Sequence, residues 1–95
     1  MHFIRLCYDE PGSLDLRHTH VEAHRAWFRE HPLPLQILVA GPLCAADDQS
    51  REIGSFMLIE ADSIDAVQAL HDGDPFTAAG IFAEVRIDRL NKKTG

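Results

Sequence analysis

The order of the apolar patterns along the chain is the feature that most restricts its fold. Residues 2–8 and 83–88 alternate from one side chain to the next, as strands with one well-buried face do. Residues 35–40 and 56–59 are short, nearly continuous apolar runs, typical of strands covered on both faces. Helical patterns fall between the first two strands and between the last two. This order predicts a ferredoxin-like α+β fold, with a four-stranded antiparallel sheet and both helices on one face.

One such domain accounts for the whole chain, residues 1–95. A domain of this size buries only about two-thirds of its surface by itself. The second and third strands carry apolar side chains on both of their faces. The sheet face opposite the helices is therefore expected to be a large apolar patch. We therefore expect a homodimer in which two sheets pack against each other, related by a twofold axis.

Composition excludes several classes of partner. The chain has 15 acidic and nine basic residues, for a net charge of −6, and nucleic-acid binding depends on clustered Lys and Arg. No apolar run approaches the roughly 18 residues of a membrane span. Charged residues interrupt the first strand, so it does not resemble a signal peptide. We expect no nucleic-acid or membrane partner and a cytoplasmic location, which two isolated cysteines also suit.

A cluster of histidines marks the first helical segment, residues 17–31, which holds four of the six in the chain. On a helix, the following side chains fall within about 60° of one another: His20, His24, Trp27 and His31. An inward-facing imidazole must find a hydrogen-bond partner or lose free energy. The segment is therefore a candidate functional element.

The start of this helix is predicted from its capping residues. Thr19 and Glu22 match a capping box, which places the first turn near His20. Residues 13–17 fit either a loop or an extra helical turn. Near a helix start, the dipole favours the neutral form of the His20 imidazole.

A second candidate feature follows the second predicted helix. Asp74 and Pro75 have the pattern of an N-cap and a first helical position, and Gly80 is placed to end the short helix. An N-cap role by itself is enough to account for an aspartate at position 74. A carboxylate can also cap with one oxygen and accept from an imidazole with the other, so both roles stay open.

Five short motifs occur in a specific order between about Phe3 and Leu90: Arg17-x-x-His20, Ala40-Gly41-Pro42, Gly54-Ser55, Asp74-Pro75-Phe76 and Ala79-Gly80-Ile81-Phe82. Together they resemble the YCII-related (YciI-like) family. The resemblance implies a dimeric α+β barrel of ferredoxin-like subunits. It also implies an active site that pairs the first helix's histidine with the aspartate of the Asp-Pro-Phe motif, here His20 and Asp74. Many relatives have His-x-x-His at the helix start, whereas here the second imidazole is His24.

These features suggest a small enzyme that needs no cofactor. His20 is the predicted general base and Asp74 the residue that orients it, a pair suited to proton abstraction from an aromatic or enol substrate in a lyase, dehydrochlorinase or isomerase reaction. The candidate substrate-binding residues are Arg17 for an anionic group, His24, and Phe76 as an aromatic wall. Arg17 can instead be ion-paired, and Phe76 part of the core.

Two other hypotheses about the function of this chain stay open. The fold also serves non-catalytic dimeric modules that bind small molecules or act as accessory subunits. His20 and His24 are one helical turn apart and, with Asp74, have the composition of a two-histidine, one-carboxylate metal site. We favour a site without a metal.

Overall fold

The computed structural model describes residues 1–95. The four strands are β1 (His2–Asp9), β2 (Leu35–Ala45), β3 (Asp48–Ala61) and β4 (Phe82–Leu90). The three helices are α1 (Leu14–Glu30), α2 (Ile64–Asp72) and α3 (Pro75–Ala78). The sheet order is β2-β3-β1-β4 with antiparallel neighbours throughout. The predicted α+β fold class, the four-stranded antiparallel sheet and the order of strands and helices along the chain are confirmed.

The core lies between one face of the sheet and the helices. It joins side chains of β1 and β3 to those of α2: Phe3, Met57, Ile59, Ala61, Val67 and Leu70. Trp27 and Phe28 of α1 pack against the same cluster. Both long helices therefore cover the same face of the sheet, as predicted.

The opposite face, here called the open sheet face, is covered by no part of this chain. It is formed by the alternate residues of the strands, paired across β1, β2 and β3: Ile4, Leu6, Tyr8, Val39, Phe56 and Leu58. None of them is buried, and Val39 is 53% exposed. The expectation that the second and third strands are covered on both faces is therefore not met within one chain.

The first helix begins earlier than its capping pattern predicted. Gly12 has φ +80°, and the Ser13 hydroxyl donates to the Glu10 carbonyl at 2.6 Å, so the turn leads directly into α1 at Leu14. The Thr19 hydroxyl donates to the Asp15 carbonyl one turn back, which is a mid-helix arrangement and not a cap. His20 thus lies beyond the first turn, where the dipole effect has largely decayed.

Close packing between α1 and α2 positions the chain segment that follows. The indole Nε1 of Trp27 donates to the carbonyl of Leu70 at 2.8 Å. The indole ring lies directly against Gly73, where any Cβ would overlap it. Since Gly73 has an ordinary negative φ, its glycine is required by this close approach and not by backbone conformation.

Candidate active site

Asp74 connects α2 to α3 and is completely buried. Its Oδ1 accepts the backbone N–H of Phe76 at 2.9 Å, and Pro75 occupies the first helical position. The N-cap predicted from the Asp-Pro pair is therefore present. The cap uses one lone pair of Oδ1, and the carboxylate has further acceptor sites for other donors.

Two further side chains meet the same carboxylate. The Nδ1 of His24 lies 2.7 Å from Oδ1, and Nη2 of Arg5 donates to Oδ2 at 2.7 Å. Burial raises the pKa of Asp74, but the hydrogen bond and charge of His24 and the charge of Arg5 outweigh it and hold that pKa below its usual value. Asp74 is therefore a carboxylate at neutral pH, and Nδ1 of His24 carries the hydrogen that they share.

The expected hydrogen bond between His20 and Asp74 is absent, because His24 occupies that place. Positions 20 and 24 are separated by about 6 Å along the helix axis, so a buried carboxylate of fixed rotamer reaches only one of them. His20 is partly exposed and forms no side-chain hydrogen bond. This corrects the pairing that the family resemblance implied.

A sequence signal for His24 existed but depended on the start of the helix. With α1 beginning at Leu14, the side chains that face the sheet recur at the spacing i, i+4, i+7 and i+11: Arg17, Val21, His24 and Phe28. His20 lies outside this stripe. The capping box shortened the predicted helix, so Arg17 was left outside it and the stripe was incomplete.

The His24 ring is held on two sides. It stacks on Phe76, with centroids 3.8 Å apart and planes 12° apart, and meets the edge of Phe28 at 4.7 Å. Its Nε2 has no hydrogen-bond partner, although no buried side-chain polar atom in the chain is unpartnered. Nε2 therefore retains solvent-accessible surface. In the neutral form of the ring, with its hydrogen on Nδ1, Nε2 bears the lone pair.

Arg17 is buried and firmly held by β1 and β3. Its Nε and Nη2 donate to the two carboxylate oxygens of Asp9, at 2.5 and 3.1 Å. Nη2 also donates to the Gly54 carbonyl at 2.7 Å and to the Ser55 hydroxyl at 3.0 Å. The guanidinium carbon lies 5.0 Å from the centroid of Phe76. Arg17 and His24 thus contact the same aromatic ring.

A pocket of about 520 Å³ opens between α1, α3 and the strands β2 and β3. It is lined by Arg17, His18, Val21, His24, Arg25, Phe28, Ala40, Gly41, Pro42, Glu52, Ser55, Met57 and Phe76. The three residues predicted to bind substrate, Arg17, His24 and Phe76, all line it. His20 does not, and Asp74 lies behind His24.

Arg5 and His71 were missed by the sequence analysis, which treated Arg5 as one member of an alternating strand. Arg5 Nε donates to His71 Nδ1 at 3.0 Å, so one buried guanidinium joins His71 to Asp74. Burial lowers the pKa of His71, and the charge of Arg5 lowers it further. His71 is therefore neutral in the folded protein. Nothing in the sequence indicated this hydrogen-bond network, because Arg5 lies 66 and 69 residues from His71 and Asp74.

The depressed pKa of His71 predicts acid destabilisation. The unfolded histidine binds a proton near its ordinary pKa of 6.5, whereas the folded one resists it, so stability is retained above that pH and lost as the pH falls through the lowered pKa. We expect the free energy of unfolding, measured by urea denaturation, to fall between about pH 7 and pH 5. His71→Gln should flatten this dependence. His18→Gln, at an exposed position, should retain it, and equal slopes in all three proteins would contradict the assignment.

Two further findings concern the alternative metal site and membrane association. No group of three or more His, Cys, Asp or Glu side chains converges as metal ligands would, and this includes His20, His24 and Asp74. None of the helices combines the length and the apolar character needed to cross a membrane.

Comparison with known proteins identifies the family of this chain. The YCII-related domain matches residues 1–91, and the chain belongs to this family. Protein YciI of Escherichia coli O6:H1 is 30% identical over 97% of this chain and 98% of its own length. An uncharacterised protein of Haemophilus influenzae is 26% identical over the same shares.

Solved structures also resemble the chain. The 5-chloro-2-hydroxyhydroquinone dehydrochlorinase (TftG) of Burkholderia phenoliruptrix AC1100, in complex with 2,5-dihydroxybenzoquinone, superposes with a TM-score of 0.85. It is 38% identical, and the match covers 98% of this chain and 96% of that chain. PA3566 of Pseudomonas aeruginosa, with a TM-score of 0.56 and 15% identity over 98% and 93% of the two chains, shares the fold.

Proposed function

We propose that this protein is a small enzyme of the lyase type, in which a His24–Asp74 dyad removes a proton from a hydroxylated aromatic or enol substrate. The observation that carries the proposal is the 2.7 Å contact between His24 Nδ1 and Asp74 Oδ1, together with an unpartnered Nε2 at the pocket. Asp74 selects the tautomer and stabilises the imidazolium that forms. Arg17 and Phe76 bind the substrate.

The related dehydrochlorinase suggests the reaction. Loss of HCl from 5-chloro-2-hydroxyhydroquinone requires one hydroxyl proton to leave and the chlorine-bearing carbon to gain one. A second hydroxyl proton then leaves as chloride departs with the electron pair of the C–Cl bond. Each hydroxyl step needs a base of moderate strength beside a ring, and His24 stacked on Phe76 fits that requirement. The 38% identity over nearly the whole chain supports the transfer of this reaction class.

The direct test is chloride release. Purified protein is incubated anaerobically with 5-chloro-2-hydroxyhydroquinone, and chloride and quinone are followed against a protein-free control. We expect release that is proportional to protein concentration. Binding of 2,5-dihydroxybenzoquinone with no release above the control would instead favour a non-catalytic binding module.

We also propose that two copies associate through the open sheet face. Its apolar side chains form a continuous patch on the two central strands and β2, and large patches of this kind on small proteins are characteristic of interfaces. Identical faces related by a twofold axis bury each other without leaving unpaired surface. The pocket lies on the helix-covered face, so this association leaves its mouth accessible.

Leu58→Lys should convert the dimer to a monomer. Leu58 pairs with Ile4 and Val39 in the middle of the open sheet face, so the substitution places a charge where the interface is expected. Sedimentation equilibrium measures the mass. Ile64→Lys is the matched control, since Ile64 is an exposed apolar residue on α2, away from this face. A wild-type monomer at all concentrations, or a dimer that persists in Leu58→Lys, would contradict the proposal.

A further inference from the structure

Asp74 and His24 belong to different parts of the fold. The Asp74 backbone N–H donates to the His71 carbonyl at 3.2 Å, and the Asp74 carbonyl accepts the Thr77 N–H at 2.9 Å. The carboxylate therefore moves with the segment that connects α2 to α3, whereas His24 moves with α1. The 2.7 Å between His24 Nδ1 and Asp74 Oδ1 thus depends on how closely α1 approaches that connection.

Trp27 and Gly73 bring α1 and this connection into close contact. A Cβ at Gly73 would lie within 2.7 Å of three indole carbons, Cζ2, Cη2 and Cε2, which is closer than Cβ atoms come to their neighbours in proteins. The indole is held in place, because its Nε1 donates to the Leu70 carbonyl at 2.8 Å and its ring packs against the core. The hydrogen bond opposes separation and the ring contact opposes closer approach, so together they fix the spacing between α1 and the connection.

This contact lies directly beside the dyad. Trp27 follows His24 by three positions on α1, so the two side chains are neighbours on one face of the helix. Gly73 immediately precedes Asp74. Two neighbouring side chains of α1 therefore meet two consecutive residues of the connection, one through a steric contact and the other through a hydrogen bond. A change of spacing at the first contact is transmitted to the second through one peptide unit.

The stacking of His24 on Phe76 does not fix this hydrogen bond by itself. The planes of the two rings are 12° apart, and nearly parallel rings can slide past each other while they stay in contact. Such a displacement changes the distance between Nδ1 and Asp74 Oδ1. Since a hydrogen bond of this kind requires about 2.7–3.2 Å, a displacement of about 1 Å breaks it.

We propose that Trp27 and Gly73 are positioning residues for the dyad, whose contact holds His24 Nδ1 within hydrogen-bond distance of Asp74 Oδ1. Neither residue lines the pocket, so neither is expected to contact a substrate. Their effect on the chemistry passes through Asp74, which selects the Nδ1–H tautomer of His24 and leaves Nε2 free as the base. This consequence for turnover rests on the proposed function, whereas the effect on the hydrogen bond does not.

The test exchanges volume across the contact. Gly73→Ala adds a methyl group that overlaps the indole, and Trp27→Phe removes the outer indole carbons, so the double variant nearly conserves the packed volume. Gln68→Ala, at an exposed position on α2, is the control. Proton NMR detects the hydrogen shared by His24 and Asp74, which resonates far downfield when bonded to a carboxylate and is identified by its loss in His24→Gln. Chloride release gives kcat and KM.

We expect Gly73→Ala to lose the downfield resonance and to lower kcat about ten- to one-hundredfold, the effect of a misplacement of about 1 Å, while KM stays within about twofold. The double variant should recover the resonance and bring kcat to within about threefold of wild type, because residues in contact compensate each other. Gln68→Ala should change neither property. A resonance that persists in Gly73→Ala, or a double variant no better than Gly73→Ala, would overturn the proposal.

Two further comparisons separate this inference from the proposed function and from folding. If the wild-type protein releases no chloride, the proposed function fails, and the resonance alone still decides whether the contact positions the dyad. Circular dichroism checks that each variant folds. Should Gly73→Ala not fold, Trp27→Phe is compared with the double variant. The added methyl group should strengthen the resonance, and an equal or weaker resonance in the double variant would refute the inference.

Discussion

His24→Gln is expected to lower the turnover number about 10²- to 10⁴-fold, the usual contribution of a general base. Glutamine preserves much of the side-chain volume, and its amide can still donate to Asp74 Oδ1, so the fold and the pocket should be retained. The amide has no lone pair of comparable basicity at the position of Nε2. Chloride release under saturating 5-chloro-2-hydroxyhydroquinone is the measurement, with circular dichroism to check the fold.

His20→Gln discriminates between the two imidazoles of α1. His20 is on the same helix one turn earlier, does not line the pocket and does not contact Asp74. We expect it to retain turnover within about twofold of wild type, as surface substitutions away from a site usually do. A large loss in His20→Gln with activity preserved in His24→Gln would restore the pairing that the family resemblance implied.

Arg5→Met is expected to lower the free energy of unfolding by about 3–5 kcal/mol, the usual result of removing one partner of a buried ion pair. The side chains of Arg5 and Asp74 are both completely buried, with 2.7 Å between Nη2 and Oδ2. Methionine fills much of the volume but leaves the carboxylate without its cation. It also removes the donor to His71 and the guanidinium that lies 5.1 Å from the Phe82 ring centroid.

A matched substitution on the surface provides the control for this measurement. Arg86 is paired with Asp88 on β4, but both side chains are more than half exposed. Arg86→Met should change the free energy of unfolding by no more than about 0.5 kcal/mol, because water and salt screen exposed pairs. Urea denaturation of both variants at neutral pH gives the comparison. Similar small effects at the two positions would mean that the Arg5–Asp74 pair contributes little to folding.

The predictions for His24→Gln and Arg5→Met concern one hydrogen-bond network around Asp74, which has two roles. Arg5 contacts Asp74 from the sheet side and His24 contacts it from the helix side, so stability and candidate chemistry share a carboxylate. His24 and Arg5 together keep the pKa of that carboxylate low, and its bond to the Phe76 N–H caps α3. A substitution at Asp74 therefore affects both properties, whereas Arg5→Met and His24→Gln separate them.

Local patterns in the sequence determined the architecture. Strand alternation and helical periodicity are properties of consecutive residues, so the order of elements and the four-stranded sheet could be predicted without any distant contact. The cap at Asp74 was predicted for the same reason, because an N-cap bonds to a backbone group two residues away. Of the pocket residues, His24 was predicted from the helix face and Phe76 from the Asp-Pro-Phe motif, whereas Arg17 was predicted from its charge and its place just before the expected helix start.

Only the tertiary structure decided which imidazole meets Asp74. That choice depends on where α1 begins and how far it extends past α3, and the turn at Gly12 and Ser13 moved the start six residues ahead of the predicted one. The same applies to Arg5, whose alternating strand position indicated a face but not the buried partners 66 and 69 residues away. Periodicity assigns a side chain to a face, whereas a hydrogen bond requires two atoms within about 3 Å, and only packing of distant segments sets that distance.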